Sequence, residues 1–143
     1  MHSPNHQTAR GPFEVKVSPQ ASDEKPGATA LGRMSVDKQY HGALEARSSG
    51  EMLTAMSPVK GSAVYVAVER VTGKLDGREG TFALYHTGTM SRGEQQLHIA
   101  VVPDSGTGEL AGLTGEMTIQ ISEGRHSYEF QYSLLPDGAP TTP

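Results

Sequence analysis

The chain contains no cysteine and no tryptophan. The first absence removes disulfide frameworks, thiolate nucleophiles and cysteine-based zinc or iron–sulfur sites together. Hydrophobic residues make up 35% of the 143 positions and aromatic residues 6%, with no long apolar run, so no membrane-spanning helix is expected. Basic residues are also few, twelve against sixteen acidic ones, and they stand singly. The formal charge of −4 leaves no basic stripe to neutralise phosphates, so nucleic acid is not an expected partner. Uninterrupted segments are short as well. The longest stretches free of both Gly and Pro, residues 62–72 and 125–135, run to eleven residues, which excludes a coiled coil or a long helical bundle. Residues 1–12 hold no apolar run fit for a secretory segment, and a cytoplasmic location is the expectation.

What is present is a period of two, the signature of strands whose alternate side chains point to opposite faces. Phe13, Val15 and Val17 alternate with Glu14, Lys16 and Ser18; Phe82, Leu84, His86, Gly88 and Met90 alternate with Thr81, Ala83, Tyr85, Thr87 and Thr89. His126, Tyr128, Phe130, Tyr132 and Leu134 form the row richest in aromatics. Further strands fit residues 33–41, 44–56, 63–72, 97–101 and 116–122, giving eight in all. Asp76-Gly77, Ser91-Arg92-Gly93 and Glu123-Gly124 supply the positive φ that tight hairpins need. Short, regularly spaced strands with such turns predict an all-β domain, an eight-stranded antiparallel β-barrel over residues 11–135, since closure removes exposed edges. Residues 1–10 and 136–143 read as loose tails, and residues 19–29 as a long surface loop. Val64 to Val68 (VYVAV) is apolar on both faces, which a wall with one wet side does not need. A homo-oligomer is therefore expected.

Several motifs invite a chemical reading. Residues 106–111 contain a formal G-x-G-x-x-A, yet Gly112 and Gly115 spoil the helix that a dinucleotide fingerprint requires. A glycine-rich bend, with Ser105 satisfying a turn amide, accounts for the same residues. The six histidines show neither H-x-H nor H-E-x-x-H spacing, and no metal and no cofactor is expected. His86 and His126 are distinctive because each lies in register with an apolar row. Strict alternation also turns Lys38 inward with Met34, Val36 and Tyr40, and Glu69 inward with Tyr65 and Ala67. Buried charges must be paired or neutralised, so either a Lys38–Glu69 ion pair or the polar end of an apolar cavity follows; a bulge returning either residue to water is the alternative. Met34, Met52, Met56, Met90 and Met117 also fall at inward positions, where thioethers adapt to irregular ligands or simply fill core.

The runs GRMSVDKQYHG (32–42), GEMLTAM (50–56), ERVTG (69–73), LYHTGTM (84–90) and VPDSGTGELAGLTG (102–115) resemble a bacterial family of small proteins, the domain of unknown function numbered 3224, across nearly the whole of residues 11–135. That resemblance implies an allene oxide cyclase-like barrel, a scaffold that holds lipophilic molecules and sometimes guides their cyclisation; the glycine-rich turn at 106–115 also resembles the one in plant allene oxide cyclases and dirigent proteins. Nothing outside that turn aligns with the plant enzymes' pockets, and none of their catalytic residues is carried over.

The expected function is binding of a small, mostly apolar metabolite inside the barrel, with or without a cofactor-free isomerisation, cyclisation or elimination. His86 is the expected proton-transfer group and Glu69 its orienting partner, with Lys38, Tyr40, Tyr65, His126, Tyr128 and Tyr132 as ligand-binding positions. A non-catalytic carrier and a barrel filled by its own side chains are the alternatives. Analytical ultracentrifugation is expected to give a multiple of 15.2 kDa; a monomer independent of concentration would count against self-association.

Overall fold

A computed structural model describes residues 6–23 and 26–134. Eight antiparallel strands run in sequence order: β1 (His6–Asp23), β2 (Ala30–Tyr40), β3 (Leu44–Met56), β4 (Ala63–Leu75), β5 (Arg78–Ser91), β6 (Glu94–Val101), β7 (Leu113–Ser122) and β8 (Arg125–Leu134). Each pairs with the next and β1 pairs with β8, so the sheet closes into a barrel. The three expected hairpins hold. Asp76-Gly77, Arg92-Gly93 and Glu123-Gly124 each place two successive residues at positive φ, matching the twist of their flanking strands.

β1 differs most from expectation. It begins at His6, within the segment read as a tail, and continues to Asp23, through the first five residues of the segment read as a loop. Its first part closes the barrel, pairing from His6 opposite Ser133 to Phe13 opposite His126, while its second part pairs with β2 down to Asp23 opposite Leu31. Backbone ladders on both flanks thus order a polar sequence, and Ala9 is fully buried. The register shift between Pro19 and Ala21 accommodates the proline, which cannot donate to a ladder. The expected tail at 136–143 and residues 1–5 lie outside the described residues.

One half of the interior is solid. Tyr40, Leu44, Val71, Leu75, Phe82, Leu84, Leu113, Phe130 and Tyr132 pack there, Phe82 stacking on Phe130 at 5.8 Å between ring centroids. The connection between β6 and β7 plugs this end. Ser105 accepts the Ala83 N–H at 3.0 Å, Thr107 the Thr81 N–H at 3.1 Å and Glu109 the Glu79 N–H at 3.0 Å, and Leu110 is buried beneath them. A single 3-10 turn, Gly108–Leu110, stands where a dinucleotide site would need a helix, so the glycine-rich bend is the correct reading. On the outer wall Leu31, Leu53, Val64, Val66 and Val68 lie exposed.

Tyr128 fastens this end. Its hydroxyl accepts the Leu44 N–H at 2.8 Å and donates to the His41 carbonyl at 2.7 Å, bracing the β2–β3 turn from β8. Tyr128→Phe strands a buried amide, an expected loss of about 1 to 3 kcal/mol. A thermal melt by circular dichroism should show a transition several degrees lower; an unchanged midpoint would dismiss the brace.

Candidate functional site

The other half of the barrel is not filled. Its floor is built by four inward side chains from four neighbouring positions of the wall: Lys38 and Tyr40 on β2, Glu69 on β4 and His86 on β5. Glu69 Oε2 accepts hydrogen bonds from Lys38 Nζ at 2.8 Å and His86 Nε2 at 2.5 Å, and Oε1 accepts from the Tyr40 hydroxyl at 2.5 Å. All four residues are buried, Glu69 to 4% exposure. Gly50, opposite Glu69 on β3, makes room: a Cβ there would sit 2.1 Å from the Val68 carbonyl oxygen and press on Glu69 itself.

The electrostatics follow from the geometry. Burial alone pushes the Glu69 carboxyl upward, but the hydrogen bond from His86 and the Lys38 charge outweigh it and bring the pKa down from 4.5 to about 2. Burial, then the Glu69 charge, pushes the Tyr40 hydroxyl well above its ordinary value. Lys38 also lies 5.5 Å from the Phe13 ring centroid and 5.7 Å from that of Tyr40, so its charge is held by two aromatic rings as well as the carboxylate. Glu69 has donors on both oxygens and is no free base. An ionised carboxylate only accepts, so His86 donates through Nε2, and its other ring nitrogen makes no hydrogen bond among the described residues. The Ser48 hydroxyl, buried one strand away opposite Lys38, has no partner among them either.

Above this floor lies a cavity of about 200 Å³ walled by Phe13, Val15, Val36, Tyr65, Ile119 and His126. It shares Met52, Tyr65 and Leu97 with a second space of about 390 Å³ at the open end, lined also by Met34, Met56 and Met90. Tyr65 packs its ring against Gly88, leaving no room for a Cβ there, and its ring centroid lies 6.5 Å from that of His86. Its hydroxyl is shifted upward by burial and then by Glu69. His126 packs against Phe13 at 5.3 Å.

The structure therefore brings together Lys38, Tyr40, Glu69 and His86, and puts Tyr65 and His126 on the cavity wall. Tyr128 and Tyr132 are elsewhere. Both are buried in the solid half, Tyr128 on the β2–β3 turn and Tyr132 between the Asp76 carboxylate and the Gln7 side chain. Met117 is likewise core. Sequence reasoning missed Phe13, Ser48 and Gly50 as parts of the site, although a polar residue on the inward row of Leu44 and Ala46, followed by a mid-strand glycine, is a readable sign.

Among the described residues no three His, Asp or Glu side chains are grouped to hold a metal ion. No helix among them is long and apolar enough to cross a membrane. No curated protein matches the chain. The crystal structure of a protein with unknown function from the DUF3224 family of Shewanella oneidensis MR-1 is 50% identical, covers 92% of this chain and 100% of its own, and superposes with a TM-score of 0.86. The family model for proteins of unknown function, DUF3224, matches residues 9–132, nearly the whole barrel. The chain belongs to the DUF3224 family.

Proposed function

We propose that the open half of the barrel binds a small, mostly apolar molecule, and that His86 is the group that exchanges a proton with it. The observation that carries this reading is a buried polar network, Lys38–Tyr40–Glu69–His86, converging on one carboxylate at the floor of an otherwise apolar cavity. A barrel that served only as a structural module has no need to bury two charges where aliphatic side chains would pack at lower cost. Glu69 orients His86 by taking its Nε2 proton as a hydrogen bond, and Lys38 balances the carboxylate's charge. His86 lines the cavity, and its second ring nitrogen, without a partner among the described residues, is the atom left to take up or return a proton. Isomerisation, cyclisation or elimination needs only shape and one such group.

Tyr65 and His126 shape the wall, and the methionines at the open end give it latitude in ligand form. The apolar strip of Leu31, Leu53, Val66 and Val68 is the surface through which we propose that copies associate, and the sedimentation measurement named above tests it.

Native mass spectrometry of protein purified gently from its own host is expected to show a small molecule bound, and His86→Ala should abolish its conversion while leaving it bound. Ligand recovered unaltered from both forms after long incubation would identify a carrier instead. Bare protein, together with no uptake of added apolar compounds, would sink the binding proposal.

The floor also makes a pH prediction. The Glu69 pKa is depressed on folding, so its contribution is fully present above about pH 4.5 and is lost as the pH falls toward 2. The size is on the order of 3 kcal/mol. Denaturant titrations between pH 5 and pH 2 should show stability falling steadily, and a Lys38→Met, Glu69→Gln double variant should show a flatter profile. Equal slopes in both proteins would refute the linkage.

A further inference from the structure

One seam of the barrel is incomplete. Every other pair of neighbouring strands is zipped along eight residues or more. β6 and β7 meet only where Ile99 faces Met117 and Ala100 faces Glu116. The same register, continued, would set His98 opposite Thr118 and Leu97 opposite Ile119, but the strands part there. β6 stays on β5 as far as Glu94 opposite Ser91, and β7 stays on β8 as far as Ser122 opposite Arg125. Two intact hairpins therefore run on from a common buried point, Ile99 and Met117, with no ladder between them, and leave a slot in the wall toward the open end.

Side-chain parity shows what the slot faces. Leu97 alternates with the buried Ile99 and Val101, and Ile121 with the buried Met117, so both belong to the inward rows of their strands. Yet Leu97 is 47% and Ile121 67% exposed. Inward-pointing apolar residues reach water at the rim, as Met56 does at 61% exposure, or where wall is missing beside them, and Leu97 and Ile121 both border the unzipped seam. Both also line the cavity that holds Glu69 and His86, as does Ile119. His86 itself pairs with Ile99, the residue at the foot of the slot. On the end-on route Tyr65 packs against Gly88 and lines both the methionine-lined space and the cavity of His86. The unpaired backbone groups on either side of the slot stand at the surface, where water satisfies them, so parting and closing exchange one set of hydrogen bonds for another.

We infer that the slot between β6 and β7 is the door by which an apolar ligand reaches His86, a reading that rests on the interior binding proposed above. A barrel loaded through its side wall admits a flat or elongated molecule edge-on, and leaves the packed half undisturbed.

The absence of cysteine makes the test clean. His98→Cys with Thr118→Cys puts two thiols on the outer face, directly across the first unzipped position, and neither residue belongs to the proposed site. The probe is 1-anilinonaphthalene-8-sulfonate followed by stopped-flow fluorescence. Its interior component is the part lost in an Ala67→Phe variant, whose ring occupies the cavity. Oxidation of the double variant is expected to slow both association and dissociation of that component at least tenfold, with Kd within twofold of the reduced form. Should the disulfide not form, bis-methanethiosulfonate cross-linkers of graded span tie the same thiols, and the rates should fall as the span shortens. Equal rates in open and tied forms would overturn the door and assign access to the barrel end. Absence of any interior component in the reduced protein would overturn interior binding itself, and the door with it.

Discussion

Glu69 is the residue on which the interior depends. A carboxylate in a protein core is unstable unless its charge is balanced and its lone pairs are used, and here three donors from two other strands converge on it. Those contacts fix the heights of β2, β4 and β5 relative to one another. They also draw a line across the barrel: on one side aromatic rings and leucines fill the space, and on the other the same eight strands enclose a void. Removing the carboxylate would leave Lys38 buried without a counter-charge, so network and fold stand or fall together.

Much of this was legible in the sequence because alternation and turn chemistry are local. Asp76-Gly77, Arg92-Gly93 and Glu123-Gly124 marked hairpins, and the strict period of two turned Lys38, Glu69 and His86 inward before any register was known. A buried charge must be paired or neutralised, so an ion pair between Lys38 and Glu69 was one of the readings that followed, and it is the one the structure shows. What alternation does not give is height along the barrel axis. Tyr128 and Tyr132 occupy the same inward row as His126, but each step of two residues moves the side chain further from the open end, and the packed half begins between them. Only the cross-strand register, set by turn lengths and by the bulge at Pro19, places His126 on the cavity and the tyrosines in the core. The middle of the first strand was legible in Phe13, Val15 and Val17, but its two ends were obscured for a related reason. Its ordering comes from ladders to β8 and β2, partners far away in the chain, and its own polar residues carry no local trace of them.

The division of the barrel also reconciles stability with a site. Packing density, the turn braced by Tyr128 and the plug between β6 and β7 belong to one end, so the other end tolerates empty volume and an unzipped seam. In a small barrel an interior filled throughout is the more stable arrangement, and one left half empty concentrates its weakness where a ligand would replace the missing contacts.

The pairing of β1 with β8 carries a consequence for how the chain reaches this shape. Phe13 lies opposite His126 and His6 opposite Ser133, so the ladder that closes the ring joins residues more than a hundred positions apart, whereas the seven other seams join neighbours in sequence. Hairpins can form one after another as synthesis proceeds, but the cylinder cannot shut until the last strand has emerged. Until then β1 waits with one flank unpaired. Its early residues, His6, Gln7, Thr8 and Arg10, are polar, and that polarity, which hid this end of the strand from a reading of periodicity, keeps the waiting edge from sticking to the wrong chain.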